Sequence, residues 1–484
     1  MQISENYLHT LLLQVQKPAR YVGQELNSVT KDWDSVQVTL ALAYPDLYEI
    51  GMSNLGLAIL YDLVNRRKEF AAERVYAPWD DMEAAMRAMG VPLFSLETRH
   101  TLSDFDVIGF SLQFELNYTN VLSMLALGQI PLLARERTDA LPLVIAGGRC
   151  TYNPEPMTDF IDAFVIGEGE EVLIELLDCI KDWKVERGDQ AHNGRQELLR
   201  RLAQIPGVYV PSLYRVTYND DQTIAAVDPL EEGVPRRVRK RILSEVGPVP
   251  TQPIVPNMQV VHDRGMIEIQ RGCSRGCRFC QAGIIYRPIR ERPLGEVLTA
   301  IDDLLSATGH SEVSLVSLSS SDHSEIEEII SQAMARHQEE GLAISLPSLR
   351  IDSFSVRLAE MIQEMRKTGF TFAPEAGSQR MRNVINKGVT EEDLLRTTEA
   401  AFESGWDKIK LYFMLGLPTE TDEDILDIVR LAHEIQSRGK ATRGRKIDIN
   451  VSVSTLVPKP HTPFQWVPLL DRATVEHRQH LLRD

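Results

Sequence analysis

Three of the chain's five cysteines, Cys273, Cys277 and Cys280, lie close together in the spacing C-x3-C-x2-C. Thiolates at this spacing can converge on one soft metal centre, and three of them leave one iron of a cubane 4Fe-4S cluster without a protein ligand. Structural zinc is the alternative, but it needs four closed ligands, and no nearby histidine or fourth cysteine completes the set. The spacing therefore favours an iron–sulfur cluster with one open iron.

The segment from Arg271 to Cys280 resembles the radical S-adenosylmethionine (SAM) superfamily, in which C-x3-C-x-aromatic-C follows the first strand of a β/α barrel. Phe279 is the aromatic residue here. The resemblance implies a 4Fe-4S cluster that chelates SAM, and reductive cleavage of SAM to a 5′-deoxyadenosyl radical that abstracts an unactivated hydrogen. The cofactors supply this chemistry, while the protein positions them and excludes water.

The end of the second predicted barrel strand carries hydroxyls and a carboxylate where the superfamily often has Gly-Gly-Glu. The residues are Ser319, Ser320, Ser321 and Asp322. The resemblance assigns Ser319, Ser320 and Asp322 to the SAM amino group, since these groups accept hydrogen bonds from an ammonium. The run Ser321-Asp322-His323 does not make a hydrolase triad, because adjacent residues cannot form the relay.

Three later strand ends complete the resemblance to a SAM site. Arg350 is assigned to the SAM carboxylate, with a surface ion pair as the alternative. Glu375 and Ser378 resemble a ribose-contacting motif, and Gly416 and Leu417 resemble the glycine-proline turn that packs under adenine. We therefore expect Glu375, Arg350 and the backbone at Gly416 to line one cavity with the cysteine loop, at the carboxyl ends of the strands.

Residues 36–183 resemble the N-terminal cobalamin-binding domain that many radical SAM enzymes carry. The usual motif D-x-H-x-x-G provides a histidine ligand to cobalt, but here Asp46 and Gly51 flank Tyr48 at the histidine position. A phenol with a pKa of about 10 is a poor cobalt ligand. We therefore expect cobalamin between the two modules, with Tyr48 near its lower face but not coordinated to cobalt.

Other strand ends of this domain also fit a cofactor cradle. Ser111 and Leu112 end one predicted strand, Gly147 and Gly148 end the next, and Glu168 lies in a glycine-flanked turn that opens a helix. Glycine allows a backbone to approach a ligand closely, but glycines at strand ends are also ordinary turn chemistry. The alternative is a descendant of the domain that serves a structural or substrate-docking role.

The elements that must position these residues follow from the alternation of apolar strands with helical segments. The pattern predicts an α/β protein in which a doubly wound, cobalamin-binding-like domain precedes a radical SAM (β/α)6 partial barrel. The predicted divisions are an N-terminal extension (1–35), the doubly wound domain (36–190), a connector with a hairpin (191–265) and the barrel (266–484). Barrel helices are predicted to start near Pro293, Ser324, Ser355, Glu391 and Asp422.

Composition limits the class of protein and its partners. Of 484 residues, 43% are hydrophobic and 25% charged, which is typical of a globular protein, and the formal net charge of −17 argues against extended nucleic-acid wrapping. We find no apolar run of membrane-spanning length and no signal peptide, so we predict a cytoplasmic protein without a membrane partner. The basic run at 236–241 is interpreted as a solvated linker, with local contact to phosphate as the alternative. The last residues predict a helix without a stop signal, which leaves a further C-terminal part open.

These features lead to a ranked set of functions. The first hypothesis is an enzyme that uses a 4Fe-4S cluster, SAM and cobalamin for radical methyl transfer to an unactivated carbon. The second is a cobalamin-independent radical SAM rearrangement or oxidation, and the third, from another class, is an iron–sulfur redox sensor or assembly factor. Cys150 and Cys179 are interpreted as core residues, and two cysteines are too few for the second cluster of a methylthiotransferase. The expected partners are a reducing electron donor and a substrate that is a small molecule, a peptide or an RNA.

Overall fold

The computed structural model describes residues 2–137, 142–187, 194–348, 350–351 and 370–483. The chain forms two compact units, Met1–Asp263 and Arg264–Asp484. Within the described residues, no helix combines the length and apolarity needed to cross a bilayer.

The first unit is built on a six-stranded sheet with the order β2-β1-β3-β4-β5-β6. Its strands are β1 Val38–Tyr44, β2 Phe70–Tyr76, β3 Val107–Ser111, β4 Leu143–Gly147, β5 Ala163–Val165 and β6 Val208–Tyr209. All pairs are parallel except β5 with β6. The strand order changes direction between β1 and β3, and in such sheets ligands bind beyond the carboxyl ends of the strands at this point.

Helices connect the strands of the first unit, which confirms the predicted doubly wound fold. They are α1 Glu5–Leu12, α2 Tyr48–Gly51, α3 Leu55–Asn65, α4 Asp80–Met89, α5 Tyr118–Leu127, α6 Gly169–Arg187 and α7 Gly194–Leu202. Asn54 begins α3 by accepting a hydrogen bond from the Leu57 backbone N–H. Gly90, in the left-handed region, ends α4.

Segments outside residues 36–190 also contribute to the core of the first unit. Leu8 and Leu11 precede that range, while Leu198, Leu213 and Val260 follow it, and all five lie in one hydrophobic cluster. The expected hairpin forms from β7 Tyr214–Tyr218 and β8 Ile224–Pro229. The predicted extension and connector therefore pack on the same core as the doubly wound sheet.

Six parallel strands form the framework of the second unit, as the predicted partial barrel requires. Among the described residues they pair as two three-stranded sheets, β9-β12-β13 and β14-β15-β16. Their bounds are β9 Gly265–Glu268, β12 Glu312–Val316, β13 Ala343–Ser345, β14 Phe370–Glu375, β15 Lys408–Leu415 and β16 Asp448–Thr455. Two short antiparallel strands, β10 Gln270–Arg271 and β11 Arg290–Glu291, flank the cysteine loop.

Helices follow the barrel strands at nearly the predicted places. They are α8 Ala282–Ile285, α9 Leu294–Thr308, α10 Ile326–Arg336, α11 Gln379–Val384, α12 Glu391–Glu403, α13 Asp422–Arg443 and α14 Arg472–Leu481. Thr390 and Thr421 form capping boxes that fix the starts of α12 and α13. The helix predicted to start near Ser355 lies outside the described residues.

Candidate functional site

The cysteine loop follows β10 and brings its three thiols into electrostatic reach of one another. Burial raises the pKa of Cys280, and the nearby Cys277 and Cys273 thiols raise it further, while the Gly283 N–H and the Lys387 ammonium lower it. The Gly283 N–H lies 3.4 Å from the Cys280 Sγ. Partly buried thiols with an N–H donor to sulfur have the chemistry of iron–sulfur ligands. Among the described residues, no three His, Cys, Asp or Glu side chains lie close enough together to hold a metal ion, so ligation of a cluster by these cysteines stays a prediction.

An ion pair holds the cysteine loop against the end of the second barrel strand. The Arg275 guanidinium donates from Nε to Asp322 Oδ2 at 2.9 Å and makes a second contact to the same carboxylate. Ser319 Oγ also donates to Asp322, at 2.6 Å. Asp322 therefore faces the cysteine loop and pairs with Arg275, and its contact with the SAM amino group stays a prediction.

Ser319 and Ser320 are buried, and their hydroxyls bond within the same turn. Ser320 Oγ lies 2.9 Å from Ser317 Oγ. The Ser320 backbone N–H donates to the Ser348 carbonyl at 2.8 Å, which ties this turn to the segment after β13. Both serines therefore shape the turn that presents Asp322, and their contact with SAM stays a prediction.

Lys387, which the sequence analysis did not identify, contacts Glu375 and Arg350 and lies near the cysteine loop. Lys387 Nζ donates to Glu375 Oε1 at 3.1 Å, and its charge acts on the Cys280 thiol. Arg350 Nη2 donates to the Lys387 carbonyl at 3.2 Å. The structure thus brings Glu375, Arg350 and Cys280 to one end of the barrel, around Lys387.

The turn that carries Lys387 also binds the backbone of the cysteine loop. Asn386 Nδ2 donates to the Gly276 carbonyl at 2.9 Å, and the Arg278 N–H donates to the Ile385 carbonyl at 2.9 Å. Asn386 and Gly388 both have positive φ, as a tight turn after α11 requires. The Asn-Lys-Gly sequence at 386–388 predicts a turn. It does not predict the direction of the Lys387 side chain.

The Phe279 side chain of the cysteine loop packs on an apolar cluster at the ends of β14 and β15. The cluster consists of Ala376, Met381, Ile385, Met414, Leu417, Leu456 and Phe464. Beside it, Gly416 adopts a φ of 88°, and its N–H donates to Glu420 Oε2 at 2.7 Å. Phe279 and the Gly416-Leu417 turn, both assigned to SAM from the sequence, therefore border the same apolar wall.

The Ser378 hydroxyl makes two hydrogen bonds that stabilise the fold. Its Oγ accepts from the Met381 N–H at 3.1 Å, capping α11, and donates to Asp424 Oδ1 at 2.6 Å. The residue is buried, and its hydrogen bond to Asp424 joins the start of α11 to α13. Its assignment to the SAM ribose stays a prediction.

Two non-glycine residues in the left-handed region mark the turns assigned to SAM. Glu375 has a φ of 69° and Thr419 a φ of 66°. Such conformations cost about 1–3 kcal/mol each, and for a β-branched residue like Thr419 they are rare. Arg380 Nη2 holds the Thr419 turn by donating to its carbonyl at 2.8 Å. Strain of this kind concentrates at ligand-binding turns.

In the first unit, the ends of β3 and β4 leave an open edge. Ser111 pairs with Gly147, and a Cβ at Gly147 would meet no atom within 4 Å. Gly148 has a φ of 104°, and a Cβ there would lie 2.7 Å from the Leu112 carbonyl oxygen. Gly147 therefore borders free space at the end of β4, and the Ser111 hydroxyl beside it accepts a hydrogen bond from Gln113 Nε2 at 3.0 Å. Leu112 and Gly148 hold the two loops together.

Glu168 has a structural contact at the end of β5. Its Oε2 accepts from the Leu243 N–H at 2.6 Å, and its own N–H donates to the Arg241 carbonyl at 3.1 Å. The residue is buried by this pairing. Glu168 therefore joins the connector to the sheet, and its contact with cobalamin stays a prediction.

The Asp46–Gly51 segment turns its functional groups into the domain. Tyr48 is 1% exposed, and its hydroxyl donates to Glu25 Oε1 at 2.9 Å. Burial and the Glu25 carboxylate raise the pKa of Tyr48 well above its usual range. Asp46 accepts from Asn117 Nδ2 at 3.0 Å, and a Cβ on Gly51 would strike the Tyr76 ring. The neutral Tyr48 phenol has little surface left for a ligand, so contact with cobalamin would require repacking.

The fold and the cysteine loop define a class: a doubly wound domain followed by a partial β/α barrel whose first strand leads into a C-x3-C-x2-C loop. Residues 56–211 match the family model of radical SAM proteins, N-terminal, and residues 267–432 match that of the radical SAM superfamily. The chain belongs to the radical SAM superfamily and is an enzyme of that superfamily.

Similar proteins support this assignment. The chain is 28% identical over 435 residues to an uncharacterized protein of Methanocaldococcus jannaschii, covering 88% of this chain and 79% of that protein. It is 27% identical over 337 residues to the threonylcarbamoyladenosine tRNA methylthiotransferase of Treponema pallidum, covering 64% of this chain and 66% of the relative. Methylthiotransferases are thus among its relatives, although the chain has only Cys150 and Cys179 outside the cysteine loop.

Solved structures share the two-part fold. The radical SAM methyltransferase TsrM from Kitasatospora setae, with cobalamin and a 4Fe-4S cluster bound, matches with a TM-score of 0.59 at 17% identity, over 88% of this chain and 73% of TsrM. The cobalamin-dependent SAM radical enzyme OxsB, with aqua-cobalamin and SAM bound, matches with a TM-score of 0.57 at 12% identity, over 92% of this chain and 61% of OxsB. At these identities the likeness is one of fold.

Proposed function

We propose that this enzyme uses a 4Fe-4S cluster, SAM and cobalamin for radical methyl transfer to an unactivated carbon. The observation that carries the proposal is the meeting of the three-thiol loop with Glu375, Arg350 and Lys387 at one end of the barrel. Support for cobalamin is the fold shared with TsrM and OxsB, whose structures hold it.

The bound cofactors would supply a radical able to abstract hydrogen and a methyl group to transfer. The three cysteines would hold the cluster, and the Arg275–Asp322 ion pair would fix their loop. Glu375 would accept from the SAM ribose, with Lys387 orienting its carboxylate. Arg350 would hold the SAM carboxylate, and the apolar wall that contacts Phe279 would exclude water.

In the first unit, the open edge at Ser111 and Gly147 is the place where the chain best fits cobalamin. No Cβ narrows the space at Gly147, and parallel sheets bind ligands beyond their carboxyl ends. The Tyr48 hydroxyl donates to Glu25 inside the domain, so Tyr48 would not ligate cobalt. This assignment keeps the expected histidine-free site and leaves Tyr48 as a buried structural residue.

The test is anaerobic reconstitution with a low-potential chemical reductant and SAM that carries a trideuterated methyl group, with and without cobalamin. We expect 5′-deoxyadenosine and a trideuteromethyl product, found by untargeted mass spectrometry of metabolites, peptides and RNA nucleosides, only when cobalamin is present. Replacing Cys273, Cys277 and Cys280 by Ala should abolish the cluster absorbance and SAM cleavage, while Cys179→Ala should preserve both. Product formation that does not need cobalamin would favour the cobalamin-independent alternative.

The same experiment separates the enzyme from the sensor hypothesis. A redox sensor needs no contacts to the SAM ribose or adenine, yet Glu375 and Gly416 lie at strained or tight turns beside the cysteine loop. A reduced cluster that leaves SAM intact would contradict the proposed function. Retention of the cluster in the triple cysteine variant would contradict the ligand assignment.

A further inference from the structure

The central strand of the second barrel sheet leaves one face open. On β15, Ile409, Leu411 and Phe413 are buried in the hydrophobic cluster with helices α12 and α13. The alternate residues Lys410 and Tyr412 are exposed, Tyr412 by 38%. All-parallel sheets normally have both faces covered, and the interior of a closed β/α barrel is filled with branched apolar side chains. This polar, open face therefore indicates a place for a ligand.

The neighbouring strands add hydrogen-bonding groups to this face. Lys410 pairs with Thr371 of β14 and with Asn450 of β16, and Tyr412 pairs with Ser452 of β16. Paired positions in parallel strands point to the same side of the sheet. We call these five residues the β15 polar face. Their hydroxyl, amide and ammonium groups can all donate hydrogen bonds.

The charge on this face suits an anion. Within the described parts of the chain Lys410 forms no ion pair, and its Nζ lies 4.8 Å from the centroid of the Tyr412 ring. The nearby Asp448 carboxylate lies 3.8 Å from Lys446, which offsets its charge. In a chain with a net charge of −17, an uncompensated lysine among neutral donors favours a ligand that brings its own negative charge.

The β15 polar face is continuous with the candidate site. Met414 lies on the same face, two residues beyond Tyr412, and packs in the apolar cluster that contacts Phe279 of the cysteine loop. At about 3.3 Å per residue, Lys410 lies roughly 13 Å from Met414 along the strand. A molecule anchored at Lys410 can therefore extend to the end of the barrel where the thiols lie.

We propose that the β15 polar face binds an oxyanion, a phosphate or carboxylate group, of the substrate. Lys410 provides the charge, while Asn450, Thr371 and Ser452 donate hydrogen bonds to the oxygens. Tyr412 packs beside the part of the substrate that leads toward the cysteine loop. That the ligand is a substrate rests on the proposed function, whereas anion binding at this face can be measured without it.

The test measures the acetylation rate of individual lysines in the anaerobically reconstituted full chain, without reductant. An N-hydroxysuccinimide acetate pulse is applied in sodium phosphate, sodium acetate or sodium chloride at matched ionic strength, and peptides are read by mass spectrometry. We expect phosphate or acetate to slow the acetylation of Lys410 several-fold relative to chloride. Lys446, whose side chain is 86% exposed, should react equally in all three salts.

The two anions distinguish the sources of the charge. Protection by phosphate alone would assign a phosphorylated substrate, and protection by both anions a carboxylate or any oxyanion. Equal Lys410 rates in phosphate, acetate and chloride would overturn the proposal. If the protein cleaves SAM but Lys410 is not protected, the proposed function stands and the anion site is contradicted. If Lys410 is protected but SAM is not cleaved, the anion site stands and the proposed function is contradicted.

Matched variants place the binding on the named residue. Lys410→Gln should weaken phosphate binding, measured by isothermal titration, by at least several-fold, whereas Lys410→Arg should retain it because the charge remains. Lys440→Gln, on the exposed face of α13 and away from the β15 polar face, should bind like the unmodified chain. Phosphate affinity that Lys410→Gln leaves unchanged would overturn the assignment to this face.

Discussion

At the scale of single residues, the candidate site depends on a lysine that connects three groups. Lys387 donates to Glu375, its carbonyl accepts from Arg350, and its charge lowers the pKa of Cys280. The contact with Glu375 is a charge-assisted hydrogen bond between largely buried side chains. Without it, the strained Glu375 would lose the contact that orients its carboxylate.

We therefore expect Lys387→Met to weaken SAM binding. Loss of a charge-assisted hydrogen bond costs about 1.5–3 kcal/mol, or roughly a 10- to 150-fold loss of affinity. Equilibrium dialysis of the reconstituted protein with labelled SAM measures this, and cluster absorbance shows whether the thiols still bind iron. Lys387→Arg should recover much of the affinity, and Lys440→Met, on the exposed face of α13, should have none of the effect. Unchanged affinity in Lys387→Met would contradict the role of Lys387.

The strand-end residues could be predicted from the sequence, and their partners could not. Glu375 and Arg350 follow apolar segments, and the ends of parallel strands meet at one edge, so their position follows from the alternation pattern. Arg275 and Lys387 lie in loops, where the direction of a side chain depends on turns such as Asn386–Gly388. Hydrophobic periodicity does not specify such turns, so these contacts required the structure.

At the scale of elements, the last helix supports the turn assigned to adenine. Arg478 of α14 donates from Nη1 to Glu420 Oε2 at 2.5 Å and from Nη2 to the Glu420 carbonyl at 2.9 Å. The same Glu420 oxygen accepts from the Gly416 N–H. The Arg478 side chain is 11% exposed and that of Glu420 only 3%. Burial raises the pKa of Glu420, which makes this carboxylate dependent on its partners.

Removing Arg478 should therefore destabilise the second unit. Breaking a buried ion pair from one side costs about 3–5 kcal/mol, so Arg478→Leu should lower the free energy of unfolding by an amount near the lower end. The matched control is Arg472→Leu in the same helix, because Arg472 is 92% exposed and pairs with Glu476 one turn away. Such an exposed pair contributes only about 0.3–0.5 kcal/mol. Urea unfolding measures both, and equal losses would contradict the proposed support.

Helices α9 and α10 are joined by a histidine that makes stability depend on pH. Burial lowers the pKa of His337, but hydrogen bonds to Glu340 and Asp302 outweigh it and raise the pKa above its usual value of 6.5. The folded state therefore binds the proton more tightly than the unfolded chain. This stabilisation is complete below the usual pKa and is lost as pH rises through the folded pKa.

We expect His337→Gln to remove that part of the pH dependence. Between pH 6 and pH 9 the free energy of unfolding of the unmodified chain should fall more steeply than that of His337→Gln, and the two curves should converge at the alkaline end. His433→Gln, an exposed histidine of α13, serves as the control and should follow the unmodified chain. Parallel curves for the unmodified chain and His337→Gln would contradict the assignment.

At the scale of the whole molecule, the order of the elements could be predicted and the extent of each unit could not. Strand-helix alternation predicted both α/β units, and the starts of α12 and α13 agree with the sequence because Thr390 and Thr421 form local capping boxes. Residues 2–35 and 194–263 carry few local signals apart from the predicted hairpin. Their packing depends on contacts with distant residues, such as β6 pairing with β5, so the periodicity of each segment did not reveal it.

Substitutions at the neighbouring glycines Gly147 and Gly148 of the first unit can separate an effect on cobalamin binding from an effect on folding. A side chain at Gly147 has open space, so Gly147→Leu should fold normally while occupying the edge proposed for cobalamin. Gly148 has a φ of 104° and lies against the Leu112 carbonyl, so Gly148→Ala should lower the free energy of unfolding, by about 1 kcal/mol or more. The two variants therefore separate the effect on a ligand from the effect on the fold.

We expect Gly147→Leu to lose cobalamin binding by at least tenfold, in titrations followed by cobalamin absorbance, without a change in its urea midpoint. Tyr48→Phe should bind cobalamin with an unchanged Co(II) spin-resonance spectrum, because its hydroxyl contacts Glu25 inside the domain. If Gly147→Leu binds cobalamin as the unmodified chain does, the strand-end edge is not the cofactor site. If the Tyr48→Phe spectrum changes, Tyr48 contacts the cofactor and the segment after β1 repacks on binding. Either result would move the proposed site away from the open edge of β3 and β4.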